Sequence, residues 1–380
     1  MLKRALTSIL LAGLISFAFP MMSAQAVVSA NPDLKFPDFN GRVHTIAHKR
    51  NKVFVGGSFT KVSAPNGTFK RRGAAAFDLR TGKITKWNPR VRGTVRDIAV
   101  AREGVYLAGT FAKVGKQNRR NLARVSAKGK GKVQKLKINI VGQIWTLDVG
   151  KHSVYLGGDF TKINNKRRAR LAAVSRKTGK LTKWRPRVDR IVFDLDYTKK
   201  GVYAAGRFQR VNGARAPWLT LLSGKGRGSR VSTFHSNVQR QIIDLHVTSS
   251  RIYVAESSNN GGGLAAVNRS TGKELWEERM DGDVQAVTVI GADIYIGGHF
   301  DNWCVDANQN RSGDCQTPGQ QLRERIAAFD SNGDLRSWNP AMDSVEGVWA
   351  FDAYKRGPLL AGGDFLTTND RQTKRLAVFR

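Results

Sequence analysis

The sequence is poor in the residues from which most metal and redox sites are built. Its 380 residues include two cysteines and six scattered histidines. Only His44 and His48 lie close together, and four residues along a strand separate them by roughly 13 Å, too far to share one metal. There is no G-x-S-x-G and no H-E-x-x-H, so the usual signatures of a serine hydrolase and a zinc protease are missing. The turn glycine of "TGKITKW" precedes tryptophan by five residues, so the sialidase-type Asp-box, Ser-x-Asp-x-Gly-x-x-Trp, fails as well. Beyond the N-terminus no apolar run is long enough to cross a bilayer. Acidic residues are scarce, 29 Asp and Glu against 64 Lys and Arg.

What is present begins with an export signal. In "MLKRALTSILLAGLISFAFPMMSAQA" (1–26), Lys3 and Arg4 precede an apolar run from Leu6 to Phe19, and Ala24-Gln25-Ala26 fits a signal-peptidase site. Cleavage is expected after Ala26, leaving a secreted or envelope-associated chain with no transmembrane anchor. No cysteine follows the apolar run, and there is no twin-arginine signature. Loss of Lys3 and Arg4 takes the formal charge from +35 to +33. That charge speaks to partners, not to fold. It favours anionic polymers such as teichoic acids, nucleic acid or acidic polysaccharide, and lipid head groups. In an oxidising compartment Cys304 and Cys315, eleven residues apart, are expected to close a local loop.

Seven copies of one motif organise the rest: "VFVGGSF" (53–59), "VYLAGTF" (105–111), "VYLGGDF" (154–160), "VYAAGRF" (202–208), "IYVAESS" (252–258), "IYIGGHF" (294–300) and "LLAGGDF" (359–365). Their spacing, 42 to 65 residues, is that of a repeat architecture. A short alternating run precedes each motif. A basic loop, a small apolar run such as "RLAAVSR", a turn such as "KTGK", and a segment ending in tryptophan such as "LTKWRP" follow most of them. Four short strands per repeat predict one antiparallel sheet. The last repeat ends after its third strand, and residues 33–47 match the missing one, with Phe36 near the tryptophan position. The fold expected is therefore all-β, a seven-bladed β-propeller closed by the N-terminal strand, which also hides the sheet edges. The boundaries are 27–39 (closing strand of blade 7), 40–90, 91–139, 140–187, 188–236, 237–280, 281–340 with an insertion at 301–321, and 341–380. The paired glycines are expected to let neighbouring sheets approach. The fifth copy, "AESS", is expected to pack less regularly or to serve another purpose.

The pattern "VYxGGxF…R…LAAFD…TGK…WNP" resembles the bacterial delta-60 repeat β-propellers, a family largely of unknown function. The resemblance covers nearly all of the chain after residue 26 and implies a secreted or surface-displayed propeller. Residues 264–298 are also similar to a blade of the pyrroloquinoline-quinone type. Those enzymes usually have eight blades, an adjacent cysteine pair and a calcium at the cofactor. Here seven repeats and no adjacent cysteines are found, so that likeness implies shared blade packing.

Aligning the repeats places His44, Arg96, Trp145, Phe193, Ile243, Gln285 and Trp349 at one level of the innermost strands. Arg42, Arg92, Arg190, Arg240, Asp281, Asp283, Asp343 and Glu346 lie in the loops just before. Arginines beside aromatics can hold an anionic or sugar-like ligand by forked hydrogen bonds and stacking. The ligand-binding set expected at the channel mouth is Arg42, His44, Arg92, Arg96, Trp145, Arg190, Phe193, Arg240, Gln285, Glu346 and Trp349, unless the aromatics only pack between blades. The inner-strand Asp97, Asp148, Asp194, Asp196, Asp244 and Asp352 can serve hydrolysis or accept backbone hydrogen bonds.

In the insertion, Asp306, Asn308, Asn310 and Asp314 have the oxygen-ligand spacing of a calcium loop, with Arg311 where glycine is usual. The alternative is a disulfide-stapled polar loop without metal. The loop is expected to project over the ligand face. The basic loops lack interleaved aromatics apart from Phe69, which argues against specific nucleic-acid recognition. The functional expectation is a secreted, monomeric, non-catalytic binding or scaffold protein of the cell envelope. Its ligand would be an anionic glycan or another envelope component, with no cofactor beyond a possible calcium ion. A polysaccharide- or lactone-acting hydrolase or lyase, and a protein–protein interaction module, remain as alternatives.

Overall fold

The computed structural model describes residues 28–380 apart from 137, 306–308, 311, 317, 318 and 356. The expected export segment and its cleavage point lie outside the described residues. The described residues form antiparallel strands and no α-helix.

The alternating runs become seven inner strands: Val43–Lys49, Val91–Val100, Ile140–Val149, Val192–Thr198, Gln241–Val247, Asp283–Ile290 and Val348–Ala353. Each pairs with its glycine-motif strand, which pairs in turn with the small apolar run. Those third strands are buried on both faces, so they read as continuous apolar runs such as Ala74, Ala75 and Ala76. Each inner strand packs beside the next, and Val348–Ala353 packs beside Val43–Lys49. At the chain's ends, Ser29 N–H donates to Arg380 O and Asp33 N–H to Val378 O, both at 2.8 Å. Phe36 is buried in one core with Phe77 of the first sheet and Leu360 and Val378 of the last. The sheets are therefore arranged about a central channel as in a β-propeller.

The fourth strand differs from the expectation. Only the fifth sheet carries a full one, Glu274–Met280. In the first, second, third, fourth and sixth units it shrinks to a single bridge, for example Phe77 with Ile84 and Val174 with Leu181. In the first, third and sixth units the "WNP" and "WRP" sequences explain this: proline has no N–H for a ladder and forces the preceding residue out of register. The second and fourth units have no proline there, and nothing in the structure explains their short fourth strand. The tryptophans instead wedge under the following sheet. Trp87 donates its indole N–H to Ser126 O, and Trp184 donates to Ser223 O, each at 2.8 Å.

The two glycines of the motif have separate tasks. A Cβ on the first would collide with the next sheet: on Gly56 it would meet Val95, on Gly157 Val192, and on Gly362 Val43. This is the sheet-to-sheet approach the sequence suggests. A Cβ on the second would collide with the carbonyl of its own inner strand, Arg42 O for Gly57 and Gln143 O for Gly158. Neither of these second glycines has positive φ. Space alone demands them, and the crowding arises from a bulge.

Candidate functional site

Every inner strand carries a register shift at the corresponding place: Val43/Thr45, Val95/Asp97, Ile144/Thr146, Val192/Asp194, Ile242/Asp244, Val284/Ala286 and Val348/Ala350. The unpaired residues are His44, Arg96, Trp145, Phe193, Ile243, Gln285 and Trp349. A bulge kinks its strand and re-aims a side chain. Here seven bulges aim seven side chains at one place, and all seven line a single cavity of about 420 Å³.

The wall of this cavity is two-sided. Along one arc His44 meets Trp349 edge to face at 5.9 Å, Arg96 lies over Trp145 at 4.0 Å, and Trp145 meets Phe193 at 5.5 Å. Burial, with Arg96 and then Arg42 nearby, pushes the His44 imidazole down to about 3. It is neutral at ordinary pH and acts as a hydrogen-bonding group. The opposite arc is Gln241, Ile243, Ser257, Asp283 and Gln285. Arg96 Nε, Trp349 Nε1 and Gln285 Oε1 are buried without a hydrogen-bond partner. Buried polar atoms normally find one, so three residues of the cavity wall carry between them two unused donors and one unused acceptor.

Six of the eleven expected ligand residues thus converge: His44, Arg96, Trp145, Phe193, Gln285 and Trp349. The other five do not line the cavity. Arg92 and Arg190 are exposed. Arg42 stacks on Trp349 at 5.1 Å but is held by Glu346 at 2.9 Å and Asp364 at 3.2 Å. Glu346 is consumed by that pair, and Arg240 pairs with Glu277. Loop carboxylates are similarly engaged: Asp281 accepts the Asp301 and Asn302 N–H groups, and Asp343 those of Leu366 and Thr367. Sequence reading missed Gln241 and Ser257, whose side chains bond each other at 3.0 Å. The missing glycine of "AESS" was their only signal.

Below the bulges the inner-strand aspartates form a ladder around the channel. Asp97 accepts Leu147 N–H of the next strand at 2.6 Å, Asp148 accepts Tyr197 at 2.5 Å, Asp194 accepts Leu245 at 3.1 Å, Asp196 accepts Val247 at 3.2 Å, and Asp244 accepts Val287 at 2.8 Å. Asp352 instead takes His48 Nδ1 at 2.7 Å. Burial drives Asp97 and Asp196 up to about 7, with Asp148 adding repulsion to each. Asp194 and Asp244 face each other within hydrogen-bonding reach, and both are raised by burial. Two carboxyls can hydrogen-bond only by retaining a proton.

The described part of the insertion packs against Asn260 and Gly261 at the mouth end of the fifth sheet and does not extend over the cavity. Asn302–Cys304 pairs with Glu274–Met280, and Gln320–Leu322 pairs with Asn302–Cys304, which extends the fifth sheet to six strands. Among the described residues, none of the insertion lines the cavity. The fifth sheet alone offers a full, proline-free outer strand for this pairing. Cys304 and Cys315 form a disulfide. Of the calcium set, Asp306 and Asn308 lie outside the described residues; Asn310 Nδ2 donates to Asp314 at 3.0 Å. Gln309 accepts Arg279 Nε at 2.7 Å and donates to Met280 O at 2.7 Å. Glu256, at the place of the second glycine, is buried against Glu277, and burial raises it well above the usual range.

No protein-family model matches the chain, and no curated protein matches it. Among solved structures it is similar to a computationally designed protein, Ika8, with 14% identity, a TM-score of 0.50, and coverage of 92% of this chain and 99% of that one. It is also similar to Raptor of Chaetomium thermophilum, at 10% identity and a TM-score of 0.55 over 92% of this chain; the chain spans 28% of Raptor's length. The WD40 domain of Neurospora crassa Pan2 matches at 11% identity and a TM-score of 0.48, covering 88% and 91% of the two chains. At these identities the likeness is one of fold.

Proposed function

We propose that this chain is an exported, non-catalytic binding protein whose channel mouth takes an acidic sugar unit of an envelope polymer. The observation that carries this reading is the cavity wall: Arg96 stacked on Trp145, with the Arg96 and Trp349 N–H groups and the Gln285 oxygen left without partners. A carboxylate or sulfate beside a sugar ring satisfies both the cation and the aromatic faces. The volume lies within the range of small-molecule sites, about 300–1,000 Å³. Binding is favoured over hydrolysis because five of the inner aspartates accept backbone N–H groups of the next strand. The architecture proposed is a seven-bladed ring of the delta-60 kind with the boundaries given above. Its support is the bonding of residues 29 and 33 to the last strand and the packing of Gly362 on Val43. Export rests on residues 1–26, and the disulfide accords with it.

Thermal-shift measurements on the purified protein test the reading, with oligogalacturonate, teichoic acid, heparin, neutral oligosaccharide and calcium at two salt concentrations. One acidic oligosaccharide is expected to raise Tm at both. A ligand at 100 times its Kd contributes about 2.7 kcal/mol. Trp145→Ala and Arg96→Gln should abolish that shift, and Arg190→Gln should leave it. Equal shifts for every polyanion that vanish with salt would leave only bulk charge. No shift with any of them would point to a protein partner.

A further inference from the structure

The positive charge is confined to one side of the ring. Residues 40–236 hold 46 Lys and Arg against 8 Asp and Glu, whereas residues 237–380 hold 15 against 19. Because consecutive inner strands are neighbours, this division along the chain is also a division in space.

On the outer edge of the cationic side the charge is regular. The closing segments of the first three sheets present Lys83 and Lys86, Lys132 and Lys135, and Lys180 and Lys183, all exposed. Each pair brackets the residue that bridges to the third strand, Ile84, Val133 and Leu181. Successive segments abut: a Cβ on Gly131 would touch Trp87, and one on Gly179 would touch Leu136. Arg124 joins the second and third sheets by donating to Arg176 O at 3.3 Å. None of the six ammonium groups makes an ion pair or hydrogen bond among the described residues. The matching place in the sixth sheet has Asp334 and Ser337. Elsewhere arginines of the basic loops are spent internally: Arg71 and Arg168 reach the backbone oxygens of Thr85 and Thr182. The lysine pairs are not so spent.

We infer that this edge is a docking track for a linear polyanion with closely spaced phosphate groups, separate from the cavity. Phosphate contact requires only free, unpaired cations in series. No aromatic accompanies the six lysines on the surface, so nothing there stacks on a nucleobase. The exposed large apolar residues, Leu34, Val141, Leu275, Leu322, Val345 and Leu366, all lie outside these segments, so nothing there inserts into a bilayer. The partner that fits is a phosphate polymer without bases, read by charge spacing.

The test compares two variants of the full protein with the same net charge: Lys83→Gln/Lys132→Gln/Lys180→Gln, and Lys273→Gln/Lys355→Gln/Arg371→Gln, whose residues are equally exposed. Binding of inorganic polyphosphate is measured across a salt series. The first variant should lose about tenfold or more in affinity, and its slope of log K on log salt should shrink by roughly 2, at about 0.7–0.9 per lost contact. The second should stay within about twofold of the parent. Equal losses would reduce the effect to net charge and overturn the track, as would no loss in either. Single-stranded DNA binding more tightly than polyphosphate of equal charge, and lost in the same variant, would overturn the base-free partner.

Discussion

Gly57→Ala is expected to lower stability by about 3 kcal/mol or more, at the upper end of what overpacking costs, while Glu256→Ala at the matching place in the fifth sheet costs less than a third of that. The two positions are structurally equivalent, since Val43 pairs with Gly57 as Ile242 pairs with Glu256. At Gly57 the new methyl would sit closer than 3.0 Å to the Arg42 carbonyl, and that carbonyl belongs to the bulge that aims His44. Backbone cannot move aside as a flexible side chain can. The alternatives are to expel the chain from its register or to flatten the bulge. In the fifth sheet the ladder runs one pair further, Gln241 with Ser257, and a side chain is already accommodated. Removing Glu256 leaves a void but also removes a buried acid whose oxygens have no donor, and these effects oppose each other. Denaturant melts of both variants decide the matter. Equal losses, or an unperturbed Gly57→Ala protein, would sever the link between the second glycine and the bulge.

The repeat made much of this visible in advance. A period near fifty residues fixes equivalent positions, so the alignment that set His44 beside Arg96 and Trp145 was already a statement about one level of the channel. What the alignment lacked was the bulge, which shows only when two strands are laid side by side. Charges were harder to read than positions. Arg42 and Glu346 each looked like a ligand group, yet each finds the other. For the aspartates of the inner strands the sequence favours acceptance of neighbouring backbone N–H groups over hydrolysis, and five of the six accept such groups. The insertion was placed over the cavity because its loop begins on that face. Its destination was set by the full outer strand Glu274–Met280, which leaves the fifth sheet with an edge able to take two more strands.

The aspartate ladder makes stability depend on pH in the sense opposite to that of surface carboxylates. Asp97 and Asp196 rise to about 7 in the folded chain, against an ordinary 3.8, because burial penalises their charge. The folded state therefore holds protons that the unfolded chain releases. Their contribution is fully present below about pH 4 and is lost as pH rises through about 7. A tenfold change in acidity on folding is worth about 1.4 kcal/mol, so the ladder can account for a few kcal/mol across that interval. Glu103 acts the other way: its hydrogen bonds from Arg176 hold it down to about 2, and that stability is lost as pH falls below the unfolded value. The two together place the optimum near pH 4, and Tm should fall by roughly 5 °C between pH 5 and pH 8.5. Asp194→Asn isolates the part of this loss that comes from the Asp194–Asp244 pair. Asp194 takes the Thr146 hydroxyl on one oxygen and Leu245 N–H on the other, so the amide oxygen keeps one of these bonds, while its N–H group can donate to the Thr146 hydroxyl or to Asp244, which no longer needs a shared proton. Its melting curve should be flatter on the alkaline side and cross above that of the parent near neutral pH. A variant that retains the full alkaline loss would show that Asp194 and Asp244 share no proton in the native protein and that their bonds to the neighbouring strands outweigh their burial.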